Sequence, residues 1–383
     1  MEFSVYRFGD FCKMFAGGDA PKDYMLSRTK EKCYPVYSNG IENEGLYGYC
    51  DCYTMPGNTL TISARGTVGV VFYRCEPFLP IVRLIALVVD EKIADTRYIY
   101  YLLKCGRIDG YGTSQQQITI PYLKKKRIQI ITSLDKQKKI ASILSAYDNL
   151  IEVNNKRIKV LEQMAENLYK EWFVRFRFPG HETAEFENGI PKGWEYCTIE
   201  SLSGIVQRGI SPEYDDEGLY TVISQKCIRQ SIMDIRESRK QTKPFKQELN
   251  LADGDTIICS TGTGTLGRVG QVYGSFQNTT FDSHVTLVRA KASIGKNYLF
   301  WTLKEMQPWF MNMGIGSTNQ QELYRGTIKN AKALRPNPCL IKQFERIIEP
   351  IHSSIVSIME VLENLVKQRD LLLPRLMSGK LEV

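Results

Sequence analysis

Two short polar segments contain the side chains best suited to recognising a base pair. They are Thr113-Ser-Gln-Gln-Gln117 and Thr318-Asn-Gln-Gln321, and the second begins 205 positions after the first. Glutamine and asparagine can bind the edge of adenine through two hydrogen bonds, and small hydroxyl groups can bind phosphates. The candidate nucleic-acid contacts are therefore Thr113, Gln115, Gln116, Thr318, Gln320 and Gln321. The alternative, that these amides only cap the backbone of a loop, stays open.

Cationic side chains form the second group of candidates. Two similar turns, Gly66-Thr-Val-Gly69 and Gly264-Thr-Leu-Gly267, each have an adjacent arginine that could reach into a groove of DNA. A basic run at residues 124–127 would suit a phosphate backbone, although such runs are commonly just solvated. The candidate cations are Arg65, Arg268, Lys124, Lys125 and Lys126.

No residues with catalytic spacing accompany these candidates. Gly262-Thr-Gly-Thr-Leu-Gly267 has the spacing of a dinucleotide or methyl-donor loop, but such a loop must open a helix. The sequence that follows it, Arg268-Val-Gly-Gln-Val-Tyr273, is typical of a strand, so we predict a hairpin turn. Asn337-Pro-Cys-Leu340 lacks the second proline and the aromatic of the adenine-methyltransferase tetrapeptide, and Asp90-Glu-Lys92 lacks a partner acid for a nuclease. With no phosphate-binding G-x-x-x-x-G-K loop either, we predict that the chain is not an enzyme.

Composition is compatible with a nucleic-acid partner. Lysine and arginine total 50 against 42 acidic residues, which gives a net charge of +8. That charge fits a DNA partner without proving one. No apolar run reaches transmembrane length, and the first residues do not resemble a signal peptide, so no membrane association is expected. Of ten cysteines only Cys50 and Cys52 lie close together, which predicts reduced cysteines in a cytoplasmic protein without a zinc site.

The chain contains the same pattern twice. Tyr98-Ile-Tyr-Tyr-Leu-Leu-Lys104 reappears as Tyr298-Leu-Phe-Trp-Thr-Leu-Lys304, and Gly57-Asn-Thr-Leu-Thr-Ile-Ser63 reappears as Gly254-Asp-Thr-Ile-Ile-Cys-Ser260. A repeat of this length is a duplicated domain with a connector rather than a solenoid. Two copies in one chain predict a pseudo-two-fold protein, and duplex DNA is the commonest partner with a matching dyad.

Each copy is predicted to be a mixed globular domain followed by a long helix, so the fold class is α+β. Residues 59–64 and 68–73, and again 256–261 and 268–273, are apolar, β-branched runs around a Gly–Thr turn. Residues 98–104 and 298–307 are typical of short helices. The predicted boundaries are globular domain 1–133, central helix 134–178, linker 179–192, globular domain 193–338 and C-terminal helix 339–378.

Both long helices have a heptad seam of apolar residues. Steps of four and three alternate through ten positions of the first helix and eleven of the second, which predicts a coiled coil. The seam positions are Ile140, Leu144, Tyr147, Ile151, Asn154, Ile158, Leu161, Ala165, Leu168 and Trp172, then Ile341, Phe344, Ile348, Ile351, Ile355, Ile358, Leu362, Leu365, Arg369, Leu372 and Leu376.

The two seams are predicted to pack antiparallel. Forty residues form a rod of about 60 Å. A parallel pair would force the connector, residues 175–193, to run back along nearly its whole extended reach of about 65 Å. Asn154 is expected to fix the register, Arg369 to do the same or to extend to solvent, and Pro350 to kink the second helix without ending it.

Three further stretches carry a family resemblance. They are Leu168-Tyr-Lys-Glu-Trp-Phe-Val-Arg-Phe-Arg-Phe-Pro-Gly180, Gly189-Ile-Pro-Lys-Gly-Trp194 and Leu373-Pro-Arg-Leu-Met-Ser-Gly-Lys-Leu381. With the duplicated plan, they make the whole chain resemble the specificity subunit of type I restriction-modification enzymes. In that family, two target-recognition domains are separated by two similar helical regions.

The resemblance implies a non-catalytic reader of double-stranded DNA. Each globular domain would read one half of a bipartite sequence, and the helices would set an unread spacer. Two modification (adenine methyltransferase) subunits would dock on the helices, and restriction/translocase subunits would join them. This chain would bind no cofactor, because S-adenosylmethionine, ATP and magnesium would belong to those partners. Two alternatives are a self-contained DNA adenine methyltransferase and an orphan DNA-binding scaffold.

Overall fold

The computed structural model describes residues 2–106, 117–229, 231–316 and 321–383, and the chain divides into two compact units. Unit 1 comprises Met1–Val153 and Leu362–Val383, and unit 2 comprises Asn154–Val361. Each long helix therefore contributes residues to both units, and each unit has its own globular part and its own core.

The elements of unit 1 begin with the first globular copy. Its strands are β1 (Phe3–Arg7), β2 (Cys12–Ala16), β3 (Tyr34–Tyr37), β4 (Leu46–Cys50), β5 (Thr59–Ile62), β6 (Val71–Arg74), β7 (Leu79–Pro80), β8 (Ile85–Val89) and β9 (Arg127–Ile131). Its helices are α1 (Phe8–Phe11), α2 (Thr96–Cys105) and α3 (Ile120–Lys125), followed by the long helix α4 (Leu134–Tyr169).

The elements of unit 2 form the second copy. Its strands are β10 (Phe186–Glu187), β11 (Ile190–Pro191), β12 (Glu195–Thr198), β13 (Ser203–Arg208), β14 (Tyr220–Ile223), β15 (Ile228–Arg229), β16 (Ile232–Met233), β17 (Arg239–Gln241), β18 (Thr256–Cys259), β19 (Val269–Gln271), β20 (Thr279–Phe281), β21 (Val285–Ala290) and β22 (Lys332–Arg335). Its helices are α5 (Ile199–Leu202), α6 (Lys296–Glu305), α7 (Gln307–Asn312), α8 (Arg325–Asn330) and the long α9 (Pro338–Met377).

Most strand pairs are the same in the two copies, although the main sheet of unit 2 has two additional strands. In unit 1 the order β2-β8-β5-β6 forms an antiparallel sheet, β3 pairs in parallel with β7, and β1 pairs with β9. In unit 2 the order β13-β21-β18-β19 continues to β16 and β15, β14 pairs in parallel with β20, and β12 pairs with β22. The predicted duplication and the α+β fold class are confirmed.

The paired Gly–Thr loops are hairpin connections, as predicted. β5 pairs antiparallel with β6, and β18 pairs antiparallel with β19. The loop 260–268 therefore leads from strand to strand and does not open a helix. Gly267 in that loop has φ +75°, and a Cβ there would lie 2.5 Å from the backbone nitrogen of Met311, so only glycine fits.

The repeated Tyr-containing segments are helices that cover each sheet, which confirms their prediction. Tyr98 in α2 and Tyr298 in α6 are both almost completely buried. Their hydroxyl groups bond in opposite senses. The Tyr98 hydroxyl accepts the N–H of Ile131 at 3.2 Å, and the Tyr298 hydroxyl donates to the carbonyl of Leu334 at 2.5 Å.

The long helices carry the predicted seam. Every seam position in α4 and α9 is buried or half-buried, because these side chains repeat on one face of each helix. A π-helical segment, Lys170–Val174, directly follows α4. α9 runs through Pro350 without interruption, so the prediction that Pro350 does not end the helix is confirmed, and the kink stays a prediction.

Contacts inside unit 1 confirm antiparallel pairing of the two helices. The side chains of Tyr147 and Gln368 are hydrogen-bonded at 3.3 Å, and Arg369 forms an ion pair with Asp148 at 2.8 Å. Leu144 shares a core with Leu376, so residue numbers fall along α9 as they rise along α4. In unit 2 the rings of Phe173 and Phe344 pack 5.1 Å apart. Arg369 thus makes an interhelical ion pair instead of only extending to solvent, and the register role of Asn154 stays a prediction.

Candidate nucleic-acid interface

In unit 1, a backbone bond brings the residues at the end of the first glutamine-rich segment beside the loop that bears Arg65. The N–H of Ile118 donates to the carbonyl of Ala64 at 3.0 Å. The Ala64 N–H donates to the side-chain oxygen of Asn39 at 2.8 Å, which holds the loop against the end of β3. Arg65 itself is exposed, and its guanidinium lies 3.4 Å from the amide oxygen of Gln117. The structure therefore places Arg65 next to the end of this segment.

Unit 2 repeats this arrangement with different side chains. The N–H of Leu323 donates to the carbonyl of Ser260 at 2.8 Å, so the second glutamine-rich segment also ends against the loop. Gln225, two residues after β14 as Asn39 is after β3, accepts the hydroxyl proton of Thr261 at 3.2 Å. Gln321 is exposed beside this junction. The predicted contacts that lie outside the described residues are Thr113, Gln115, Gln116, Thr318 and Gln320.

Arg268 is placed differently from Arg65. It is half-buried, and its guanidinium donates to the carbonyl of Ile228 at 2.8 Å and to that of Gly264 at 3.0 Å. These bonds brace the loop from inside, since one end of the side chain joins two separate backbone segments. Contact of Arg268 with DNA stays a prediction.

The lysine run lies at the end of a short helix. Lys124 and Lys125 are exposed in the last turn of α3, where cations are favoured by the helix dipole. Lys126 is half-buried and caps the helix, and its carbonyl accepts the N–H of Phe8 at 3.1 Å. Two of the three ammonium groups are therefore on the surface, where a phosphate could reach them.

Sequence reasoning missed a polar cluster in unit 2. The guanidinium of Arg208 donates through Nε to the carbonyl of Ser283 at 2.5 Å and forms an ion pair with Glu322. The imidazole Nδ1 of His284 lies 2.6 Å from the hydroxyl of Thr261. No sequence pattern marks this cluster, because Arg208 is 75 positions from Ser283 and 114 from Glu322.

A buried carboxyl supports the cluster from below. Asp282 accepts the backbone N–H of His284 at 2.9 Å. Burial raises the pKa of Asp282, and the hydrogen bond from His284 opposes that rise. The carboxyl thereby fixes the turn 282–284, which presents both the Ser283 carbonyl and the His284 ring. The exposed ring of His284 and the half-buried guanidinium of Arg208 could therefore form hydrogen bonds to a nucleic acid.

The described residues contain neither a metal-binding cluster nor a membrane-spanning helix. Within the described ranges, no three His, Cys, Asp or Glu side chains come together as a metal ion would require. None of the helices in those ranges has both the length and the hydropathy that a membrane crossing demands. All ten cysteines are free thiols, as predicted.

The chain and its fold have counterparts among known proteins. Residues 1–163 match the family model described as the type I restriction modification DNA specificity domain. The chain is 24% identical to the type I restriction enzyme MjaIX specificity subunit of Methanocaldococcus jannaschii, over 97% of this chain and 89% of that relative. Over nearly its whole length, the chain is therefore similar to a type I specificity subunit.

Other specificity subunits show partial or structural similarity. One from Mycoplasma pneumoniae, named putative type I specificity subunit S.MpnORF89P, is 34% identical over 37% of this chain and 42% of its own length. The crystal structure of a type I restriction-modification S subunit from M. genitalium shares the fold, with a TM-score of 0.65 at 18% identity. That match covers 98% of this chain and 96% of that chain.

These similarities bear on the reaction class. The matched domain is a DNA specificity domain, and the relatives are specificity subunits, which are non-catalytic. The likeness is therefore to DNA-recognition proteins and not to enzymes, which agrees with the sequence prediction.

Proposed function

We propose that this chain is a specificity subunit that reads a bipartite, asymmetric sequence in double-stranded DNA. Residues 1–133 would read one half and residues 193–338 the other. The helical segments 134–178 and 339–378 would set the unread spacer, with 179–192 as a linker. The observation that carries the proposal is a repeated one. In each copy one backbone hydrogen bond, Ile118 to Ala64 or Leu323 to Ser260, brings the residues at the end of a glutamine-rich segment beside a polar hairpin loop.

The two half-sites should differ in sequence, because the side chains on this common backbone differ. Unit 1 presents Arg65 with the neutral amide Gln117, and unit 2 presents Arg208 with the acid Glu322. Sequence is read by side chains at base edges, whereas phosphate contacts mainly fix position. Lys124 and Lys125 are suited to the second role.

Partner subunits would supply the chemistry. We place two modification subunits on the long helices and restriction/translocase subunits around them, with S-adenosylmethionine, ATP and magnesium bound by those partners. Apolar side chains outside the seam of α4 support docking there. In unit 1, Leu150 and Val153 are each 51% exposed, and in unit 2, Val160 and Met164 are 60% and 52% exposed. Such a complex would act in the cytoplasm, where its DNA is.

A reconstitution with methylation mapping tests this function. The full chain, purified with its cognate modification subunits, should methylate adenine in a single two-part sequence with a fixed unread spacer in a random DNA library. The chain alone and the modification subunits alone are the controls, and neither should methylate that sequence. Methylation by the chain alone would support the self-contained methyltransferase. Specific binding without any stimulation of methylation would support an orphan scaffold.

Matched double variants test the assignment of one reader to each half-site. Replacing Gln320 and Gln321 by alanine should relax base discrimination in one half-site, and replacing Gln115 and Gln116 should relax it in the other. Each glutamine pair is the counterpart of the other in the repeat, so each variant is the control for the other. Equal relaxation of both half-sites by either variant would contradict independent readers.

A further inference from the structure

The backbone around Arg208 is rigidly positioned. Arg208 is the last residue of β13 and pairs with Thr286 of the neighbouring strand β21. The next residue, Gly209, donates its N–H to the carbonyl of Val285 at 3.1 Å. A Cβ on Gly209 would lie 2.2 Å from the carbonyl oxygen of Asp282, so glycine is required where the chain leaves the sheet. The side chain of Arg208 therefore starts from a fixed point at the sheet edge.

The two anchors of the guanidinium are fixed as well. The carbonyl of Ser283 belongs to a turn in which the N–H of Val285 donates to the carbonyl of Asp282 at 3.1 Å. The backbone of Glu322 exchanges both hydrogen bonds with Ile315, each at 3.0 Å. Anchors held by backbone bonds keep the guanidinium plane in one orientation, and the Arg208 side chain is 24% exposed.

Charge distinguishes between the two DNA groups that an arginine can bind. The carboxylate of Glu322 neutralises the guanidinium of Arg208, so the pair as a whole attracts a phosphate only weakly, and a phosphate would be repelled by the carboxylate itself. A base edge has no net charge. Guanine presents two acceptors in the major groove, N7 and O6, which match the parallel N–H groups of a guanidinium. The anchoring bonds use Nε and one N–H of Nη1, and a guanidinium has five N–H donors.

We propose that Arg208 is a specificity-determining residue that binds a guanine in the major groove, and that Glu322 is its positioning residue. The proposal rests on the DNA-reading function proposed above and deepens it. Unit 1 has no equivalent arginine, because the position that pairs with Ala86 of β8, as Arg208 pairs with Thr286, is Phe15. Only one half-site is therefore read in this way.

Site selection from a random duplex library tests the proposal in the complex of the full chain with its modification subunits. The wild-type protein should select a bipartite sequence with an invariant guanine in one half-site. Arg208→Ala should lose that single preference, by about 10- to 100-fold, and should still select the other half-site, which shows that the variant is folded. Replacing that guanine by 7-deazaguanine, which lacks N7, should weaken the wild-type complex and leave the Arg208→Ala complex unchanged.

Glu322→Gln is the second variant. It keeps Arg208 but removes the neutralising charge, so discrimination at the guanine should fall while the salt dependence of binding becomes steeper. Uniform weakening of all sequences by Arg208→Ala, as expected of a phosphate contact, would overturn the inference and leave the bipartite reader intact. If the wild-type complex selects no bipartite sequence, the proposed function itself fails, and the inference fails with it.

Discussion

The two recognition copies share a backbone and differ in how they use it. Both share most strand pairs, and both bring the end of a glutamine-rich segment against the hairpin loop. At the equivalent position, one copy has Gln117, whose neutral amide lies 3.4 Å from Arg65. The other has Glu322, whose carboxylate forms an ion pair with Arg208 at the end of β13. The residue type at this position, Gln or Glu, thus decides whether the arginine at the site is paired with a neutral amide or with a negative charge.

The repeated lysine in the last turn of α2 and of α6 shows a similar divergence. Lys104 is exposed and donates to the hydroxyl of Tyr100 at 3.1 Å. Its counterpart Lys304 is half-buried, and burial lowers its pKa while the nearby Glu162 raises it. Both arrangements fit because the four strands β2-β8-β5-β6 in unit 1 are paired like β13-β21-β18-β19 in unit 2. The comparison teaches that duplicated backbone geometry can be kept while the surrounding charges diverge.

The largest effect is expected from removing the tyrosine that each core shares. Tyr98→Ala and Tyr298→Ala should each lower the free energy of unfolding by roughly 3–5 kcal/mol, because a large buried ring is lost. Hydrogen exchange should show the loss of protection in the unit that carries the substitution. Tyr98→Phe and Tyr298→Phe keep the ring and should lose about 1–3 kcal/mol, since a buried partner is left unbonded. Equal loss of protection in both units would mean that the copies are not separate cooperative units.

Glu162 is expected to make the stability of unit 2 depend on pH. Burial raises its pKa from 4.5 to about 7, with attraction to Lys304 opposing the rise. The folded state therefore binds the Glu162 proton more tightly than the unfolded state does. The resulting contribution to the free energy of unfolding is complete below pH 4.5, the unfolded pKa, and is lost as the pH rises through about 7. The free energy of unfolding should change by at most about 3 kcal/mol over this pH range.

Glu162→Gln should remove that pH dependence. Denaturant unfolding at pH 8 should show the variant to be more stable than the wild type, and the two should converge near pH 5. The control is Glu166→Gln, which removes a partly exposed ion pair with Lys170 and should change stability by about 1 kcal/mol or less. A constant difference between wild type and Glu162→Gln across this range would contradict the buried, proton-binding carboxyl.

The smallest effect should separate the two arginines by their response to salt. Arg65 has a neutral partner, so it can release a counterion from a phosphate, and Arg65→Ala should lower the slope of log affinity against log salt by about one. Arg208→Ala should leave that slope unchanged because its charge is already neutralised. Affinities for the selected DNA over a range of salt concentrations provide the measurement. Equal changes of slope in the two variants would remove the distinction between them.

Much of the fold was predictable because it depends on patterns that recur along the chain. The duplication is visible in matching residues such as Tyr98 and Tyr298. The heptads predict α4 and α9, and the length of the connector predicts that the two helices pack antiparallel. The hairpin at Gly267 was also predictable, since a strand pattern follows it. These features depend on local spacing and on chain length, which a single sequence contains.

The site was less predictable because its bonds join distant parts of the chain. Arg208, Ser283 and Glu322 meet only through the order of the strands and through the backbone bonds of Glu322 and Leu323. The sequence likewise does not reveal that Arg268 binds the carbonyls of Ile228 and Gly264. A guanidinium can bind any nearby acceptor, so its residue type alone does not distinguish a groove contact from a loop brace.

The central claim, that two readers are held at a set spacing by the long helices, is tested most directly by lengthening those helices. Duplicating one heptad around Asn154 and one around Ile358 keeps both seams in phase and adds about 10 Å of helix. At about 3.4 Å per base pair, the unread spacer should grow by roughly three pairs. Those pairs also rotate the half-sites by roughly 100°, so affinity should fall as the preferred spacer shifts. Site selection from a library of spacer lengths should return both original half-sites with the longer spacer, and an unchanged spacer would contradict the account.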